Sequence, residues 1–229
     1  MSAKHPAPAL PERELGVAFQ SVSLLLGYPD EELLGRLALI GEAARTLPAA
    51  VGDGIAQTAD RLAGAPLRQL QETYVETFDS RRRCNLFLTY FAHGDTRKRG
   101  VALLRFKQAY LRSGFVLDEQ ELPDHLCVVL EYAATIDQRL GWGLLLDHRA
   151  GLELLRLSLR DDGSPWAPAI ESLCATFPKL RGDERDAVRR LAAEGPPQEE
   201  VGLSPYPTAP GGPTDLPMPT MPVAPGATG

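Results

Sequence analysis

The spacing of apolar residues constrains the fold of this 229-residue chain more than any other feature of its sequence. These residues recur three and four positions apart, which is the period of one face of an α-helix. The clearest series are Leu15, Phe19, Val22 and Leu26; Leu67, Leu70, Tyr74 and Phe78; Leu103, Phe106 and Tyr110; Leu126, Val129, Ala133, Ile136 and Leu140; Leu145, Leu152, Leu155 and Leu159; and Ile170, Leu173 and Phe177. Almost no segment alternates with a period of two, and β-branched residues are sparse. The sequence therefore predicts an all-α protein.

Prolines and glycines divide this pattern into a body and two ends. Seven or eight helices joined by short loops over residues 12–194 predict a single compact helical bundle. Residues 1–11 precede the first periodic series and are predicted to be flexible. Ten of the 20 prolines lie in residues 195–229, together with six glycines. Such a segment cannot bury enough apolar surface to offset its conformational entropy, so a disordered Pro/Gly-rich tail is predicted.

Several classes of protein are disfavoured by composition. No uncharged apolar stretch approaches the roughly 20 residues that a membrane helix needs, so no stable membrane insertion is expected. Charges in Met1–Glu14 and polar residues after it argue against a secretory signal, which predicts a cytoplasmic protein. Cys84, Cys127 and Cys174 are too far apart for a disulfide framework or a zinc site. We therefore predict reduced thiols and no metal.

The sequence lacks the common catalytic motifs. The sequence contains no His-Glu-x-x-His, Cys-x-x-Cys or Gly-x-Ser-x-Gly pattern. Asp124 and His125 could form a base with its orienting acid, but adjacent residues on a helix point about 100° apart. Helix capping is the favoured interpretation of that pair. The sequence thus predicts no catalytic residue and no cofactor, and we expect the chain not to be an enzyme.

Charge is distributed unevenly along the chain. Residues 81–112 contain nine Lys and Arg residues and one acid, Asp95, whereas residues 118–137 contain six acids and no Lys or Arg. The two segments could neutralise each other as solvated faces of neighbouring helices. Alternatively, each could bind a partner of opposite charge.

The basic segment also raises an alternative function. Arg97, Lys98 and Arg99 follow the predicted helix start at Asp95 or Thr96, where cations oppose the helix dipole. They could pair with carboxylates, contact an acidic partner surface or bind phosphate. A nucleotide- or phosphate-binding helical protein using the Asp95–Gly100 loop is therefore the alternative, although no Gly-rich phosphate loop is present. An RNA-binding module is disfavoured because the net charge is −6 and aromatic residues are few.

Three segments carry a resemblance to a known family. They are Tyr74–Asp79, Cys84–Gly100 and Glu121–Tyr132. Together they resemble the respiratory nitrate reductase molybdenum cofactor assembly chaperones, which are the delta subunit or NarJ-type branch of the TorD-like redox-enzyme maturation proteins. The resemblance extends over roughly residues 15–191. Tyr132 departs from the family pattern, which commonly has Phe there, so its hydroxyl group needs a hydrogen-bond partner.

The resemblance implies an all-helical TorD-like fold and a chaperone function. Proteins of this kind bind the unfinished catalytic (alpha) subunit of membrane-bound nitrate reductase transiently, including its N-terminal peptide. They keep it competent for insertion of the molybdenum cofactor and an iron–sulfur cluster, and they are not part of the final enzyme. The resemblance adds no catalytic residue, no cofactor of the chaperone itself and no nucleic-acid partner.

The resemblance also implies a set of binding residues. Pro123, Asp124, His125 and Glu131 match the family motif that is associated with binding the client peptide. Tyr90 and Tyr132 are added to the predicted client-peptide site as its aromatic residues. On this hypothesis Asp124 and Glu131 meet basic client groups at an apolar groove that receives an amphipathic helix. Tyr90 and Tyr132 supply aromatic surface, and His125 either contacts the client or only caps a helix.

Two further expectations concern the basic loop and the core. Arg97, Lys98 and Arg99 would form a second, electrostatic contact with the folded part of the client. Tyr74, Phe78 and Phe106 are predicted to be core residues.

Overall fold

The architecture is built from helices alone. The computed structural model describes residues 5–118 and 121–197. In chain order the α-helices are α1 (Glu12–Leu25), α2 (Glu31–Ala44), α3 (Ala49–Ala63), α4 (Leu67–Tyr74), α5 (Leu88–His93), α6 (Arg97–Arg112), α7 (Leu126–Thr135), α8 (Gln138–Asp147), α9 (Arg149–Asp161), α10 (Ala167–Thr176) and α11 (Gly182–Glu194). A π-helix, Val75–Asp79, continues α4, and a 3-10 turn, Arg82–Cys84, follows it. The described residues contain no β-strand, and the all-α prediction is confirmed.

The number of helices differs from the prediction of seven or eight. The series from Leu126 to Leu140 was expected to be continuous, but α7 ends at Thr135. Asp137 starts α8 as its N-cap, and its carboxylate accepts a hydrogen bond from the Leu140 backbone N at 2.9 Å. A second break at His148 separates α8 from α9. Apolar spacing continues across both breaks, so periodicity alone does not reveal them.

The core is organised around α1. Leu15, Phe19 and Val22 on this helix have no exposed surface, and α1 packs against α2, α3, α7 and α10. The π-helix belongs to the same core: Phe78 is 5% exposed and packs on Trp166 with ring centroids 5.2 Å apart. Burial of Tyr74, Phe78 and Phe106 confirms that they are core residues.

One glycine allows α7 and α8 to approach closely. A Cβ atom at Gly141 would lie 2.3 Å from the Cβ of Ala133. This distance is far below van der Waals contact, so only glycine fits there without moving a helix. Gly141 thereby fixes the orientation of α7, which carries part of the candidate site.

Both ends of the chain are described only in part. Residues 5–11 are not helical, and they contact α8 through a hydrogen bond from Trp142 Nε1 to the Pro6 carbonyl at 2.8 Å. The predicted flexible segment 1–11 therefore falls partly outside the described residues. Only 195–197 of the predicted tail 195–229 are described; the rest lies outside. None of the described helices has both the length and the hydropathy needed to cross a bilayer.

Candidate binding surface

The implied motif lies where α5 and α7 begin. Phe87 and His125 form an isolated antiparallel bridge just before these two helices. Next to it, the backbone N of Leu88 donates to the carbonyl of Asp124 at 3.0 Å. Because each of these residues lies at the start of a helix, the bridge holds the two N-termini side by side.

Asp124 lies inside the protein. Its side chain is completely buried. Its Oδ2 accepts hydrogen bonds from the backbone N of Thr89, at 3.1 Å, and from the Thr89 hydroxyl, and Arg99 Nη2 lies 3.7 Å away. In this conformation Asp124 joins α5, α6 and α7 and cannot meet a basic client group, contrary to the expected direct contact. A client-binding role for Asp124 stays a prediction that requires this segment to open.

Arg99 also differs from its predicted placement. Its side chain is 17% exposed, and its Nε donates to the Thr89 hydroxyl at 3.2 Å. The guanidinium lies over the Phe87 ring, 5.1 Å from the centroid, and pairs with Asp95 at 3.3 Å. Arg99 is thus held by internal contacts instead of facing a partner, because its position on α6 points toward α5. Arg97 and Lys98, by contrast, are exposed.

These contacts also bear on the phosphate-binding alternative. The Asp95–Gly100 loop turns one cation inward and places an acid, Asp95, beside it. Nothing in this geometry favours phosphate over the internal ion pair.

Three more residues of the predicted set are buried supports. Tyr132 is 1% exposed, and its hydroxyl shares a hydrogen bond of 2.7 Å with Ser113 Oγ, which supplies the partner that its hydroxyl was expected to need. The Pro123 carbonyl accepts from the Tyr110 hydroxyl at 2.6 Å. Tyr90 is 4% exposed, so neither predicted tyrosine offers aromatic surface in this conformation.

His125 lies at the edge of the motif. It is half-buried at the N-cap of α7, where its side chain makes no capping hydrogen bond. The ring meets Phe87 edge to face, with centroids 5.1 Å apart. Burial lowers the pKa of His125 below its ordinary value of 6.5, and the nearby Asp124 carboxylate partly opposes that shift. The imidazole is therefore neutral at pH 7.

Glu131 is the one residue of the predicted peptide-binding set that is fully on the surface. It lies on the outer side of α7, and Glu121 is exposed in the preceding loop. Glu131 lies four positions after Cys127 on α7, so these two side chains share one side of the helix, and Glu121 lies in the loop that leads into it. Leu122 is 42% exposed and Val128 is half-buried. We call Glu121, Leu122, Cys127, Val128 and Glu131 the acidic face.

The thiols do not offer reactive or metal-binding chemistry. Burial raises the pKa of Cys84 to about 11 and that of Cys127 and Cys174 to about 12. Thiols with such pKa values stay protonated near neutral pH and are weak nucleophiles and ligands. Among the residues that the structure describes, no group of three or more His, Cys, Asp or Glu residues could hold a metal ion.

Sequence reasoning missed Thr89, which orients Asp124 and Arg99 together. Thr89 has no exposed surface and lies inside the Cys84–Gly100 motif. Its spacing from Asp124 is 35 residues, so nothing local in the sequence pairs the two.

Comparison with known proteins identifies a family for this chain. The family model described as "Nitrate reductase delta subunit" matches residues 44–171, which is more than half of the chain. The chain belongs to this family. The matched region includes α5, α6 and α7 and hence the whole motif.

Individual relatives agree with the family. The NarJ protein of Bacillus subtilis strain 168 is 32% identical over 168 residues, covering 72% of this chain and 90% of that protein. NarJ of Escherichia coli K12, a nitrate reductase molybdenum cofactor assembly chaperone, is 32% identical over 155 residues, covering 66% of each. The nitrate reductase-like protein NarX of Mycobacterium tuberculosis H37Rv is 36% identical over 160 residues, but the match spans only 24% of that longer protein.

A solved structure supports the fold. A crystal structure from Archaeoglobus fulgidus, assigned as a redox enzyme maturation protein, aligns with a TM-score of 0.50 and 24% identity. The alignment covers 82% of this chain and 99% of that one. It supports the helical fold alone.

Proposed function

We propose that this protein is a chaperone for the apo catalytic subunit of membrane-bound nitrate reductase. It binds that subunit transiently in the cytoplasm, including its N-terminal peptide, and keeps it competent for molybdenum cofactor and iron–sulfur cluster insertion. It is not an enzyme and leaves before the finished complex is assembled. Membership of the delta subunit family and the names of the NarJ relatives support this role.

The acidic face is the observation from which we infer the peptide-binding site. Glu121 and Glu131 stand in solvent beside the partly exposed apolar side chains Leu122 and Val128. A surface of this kind complements an amphipathic peptide that has apolar anchors and basic neighbours. The client's N-terminal peptide is the proposed occupant, with Glu131 as its direct ionic contact.

The buried members of the predicted set act by positioning this face. Asp124 fixes the start of α7 against α5, and Tyr132 and Pro123 fix the loop that precedes α7. Tyr90 braces α5, because its hydroxyl accepts a hydrogen bond from Arg82 Nε at 2.7 Å. His125 is intermediate in this set, because it is half-buried whereas the other members are either buried or fully exposed.

The test uses the full-length protein and a synthetic peptide that copies the first residues of the nitrate reductase catalytic subunit from the same organism. Binding is measured by isothermal titration calorimetry. The double variant Glu121→Lys/Glu131→Lys should bind at least about tenfold more weakly, a loss of ~1.4 kcal/mol in binding free energy. Reversing two exposed charges should leave the unfolding free energy within about 0.5 kcal/mol of the wild-type value.

Glu42→Lys is the matched control, because Glu42 is an exposed carboxylate on α2, outside the acidic face. It makes the same charge change as either single substitution, Glu121→Lys or Glu131→Lys, and it should not weaken peptide binding. If the wild-type protein bound no peptide, the chaperone proposal would lose its main support. If Glu42→Lys weakened peptide binding equally, the affinity would depend on the net charge of the protein and not on the acidic face.

A further inference from the structure

The outward side of α6 carries a second apolar surface that the inner core does not use. Ala102, Phe106, Ala109 and Tyr110 form the buried side of this 16-residue helix. On the other side Val101 is 60% exposed, Leu104 is 55% exposed and Leu111 is 63% exposed. Single exposed apolar residues are ordinary, whereas three on one side of one helix make that side a candidate docking surface.

Cations line this surface in register with the leucines. Leu104 and Leu111 are seven positions apart, and so are Lys98, Arg105 and Arg112 in the adjacent row. Residues seven apart in a helix lie within about 20° of the same line and about 10.5 Å apart along the axis. The side of α6 thus presents an apolar pair, Leu104 and Leu111, in a row that begins with Arg97. A parallel basic row holds Lys98, Arg105 and Arg112.

No acid interrupts these rows. The α6 sequence contains Arg, Lys, apolar residues and one Gln but no Asp or Glu, and Arg105, Lys107 and Gln108 are exposed. The cations at the start of α6 oppose the helix dipole. Arg105 and Arg112 line a groove together with Asp137 and Asp147, at the two ends of α8, and both arginine side chains stay exposed.

We propose that this side of α6, defined by Lys98, Val101, Leu104, Arg105 and Leu111 with Arg112, docks an acidic amphipathic α-helix of a partner protein. A helix fits because its own seven-residue rows match both rows of α6, whereas an extended strand repeats every two residues. Its apolar row would cover Val101, Leu104 and Leu111. A neighbouring row of Asp or Glu would meet the three cations.

Charge argues for this occupant over two others. Pairing with a second copy through the same surface would bring two rows of Arg and Lys against each other. An anionic membrane would attract α6, but the chain as a whole carries a net charge of −6, and only three apolar side chains are available to insert. The inference goes beyond the proposed function and does not depend on the acidic face.

The test uses two synthetic helical peptides of about three heptads that carry leucines in register. One has Glu beside the leucines, and the other has Lys in the same positions. Fluorescence anisotropy with the full-length protein should show binding of the Glu peptide and not of the Lys peptide. Leu104→Ser/Leu111→Ser should weaken the Glu peptide at least about tenfold. Arg105→Glu/Arg112→Glu should also weaken binding of the Glu peptide, and this variant should bind the Lys peptide.

Matched controls come from exposed residues elsewhere. Leu39→Ser on α2, where Leu39 is 66% exposed, and Arg190→Glu on α11 should leave binding unchanged. Circular dichroism and thermal unfolding verify that each variant is folded, and all substituted side chains are exposed.

Four results would overturn the proposal. They are absence of Glu-peptide binding by the wild type, equal binding by the variants and the wild type, binding of anionic lipid vesicles that the α6 variants abolish, and a concentration-dependent mass by light scattering that those variants abolish. The third would assign the surface to a membrane, and the fourth to a second copy.

Discussion

The acidic face and the α6 surface are both partly apolar and both charged, yet they are built in different ways. The acidic face depends on buried polar contacts, in which Asp124 is bound by Thr89 and Arg99 and Tyr132 is bound by Ser113. The α6 surface needs only a regular helix whose opposite side is buried. The first should therefore respond to substitutions inside the protein, and the second only to substitutions on its own surface.

The largest expected effect comes from Asp124→Ala. Removing the carboxylate leaves the Thr89 donors and the Arg99 guanidinium buried without it, which should lower the free energy of unfolding by about 3 kcal/mol. Binding of the client peptide should fall with it, while the Glu peptide should keep its affinity for α6 in the folded fraction. Urea unfolding and the two binding assays measure this.

Glu121→Ala is the control for that substitution, because it removes an exposed carboxylate close to the same loop. Its unfolding free energy should change by less than about 0.5 kcal/mol. If Asp124→Ala were equally harmless, the buried polar contacts would not be what supports the acidic face.

A smaller effect is expected from Tyr132→Phe. The substitution deletes only the hydroxyl that shares a hydrogen bond with Ser113. Ser113 Oγ also donates to Asp137 Oδ2 at 3.0 Å and so keeps one partner. The loss should be about 1 kcal/mol of unfolding free energy.

A double-mutant cycle of Tyr132→Phe with Ser113→Ala isolates the interaction energy between the two hydroxyl groups. The two losses should not add, because both substitutions remove the same hydrogen bond. Strict additivity in urea unfolding would show that the two hydroxyl groups are not coupled.

The smallest effect is a pH dependence of stability. Burial lowers the pKa of His125 and of His148 below 6.5, so the unfolded chain binds protons at higher pH than the folded protein does. The free energy of unfolding should be highest above about pH 6.5 and should decrease as the pH falls through the lower folded pKa values. His125→Asn should remove part of this slope, and His148→Asn another part.

Urea unfolding between about pH 7 and about pH 5 measures that slope. A stability that rises as the pH falls over this range would contradict the burial of the two imidazoles. The α6 surface contains no histidine, so binding of the Glu peptide should not follow the titration of His125.

The fold was more predictable than the site. Helical spacing identified the apolar rows, and burial of Phe19, Tyr74 and Phe106 follows from it. Spacing could not reveal that α7 ends before Asp137, because Ile136 and Leu140 continue the same period. The cap at Asp137 is a local polar contact that overrides the periodicity.

The sequence predicted which positions belong to the site but not which of their side chains are buried. The resemblance identified Asp124, Tyr132 and Glu131 together, but sequence cannot distinguish a buried carboxylate from an exposed one seven residues away. Thr89 and Ser113, which hold Asp124 and Tyr132, are brought close only by the tertiary fold. On α6 the predicted apolar series Leu103, Phe106 and Tyr110 contains neither Leu104 nor Leu111, and nothing was predicted for these two exposed leucines.

The most direct test of this account is a calorimetric titration of the client's N-terminal peptide into protein already saturated with the Glu peptide. If the acidic face and the α6 surface are separate, the client peptide should bind with the same affinity as it does to the free protein. Direct association of the two oppositely charged peptides is measured by titrating one into the other without protein and is subtracted. Loss of client-peptide binding in the presence of the Glu peptide, restored by Leu104→Ser/Leu111→Ser, would contradict the account and place both ligands on one surface.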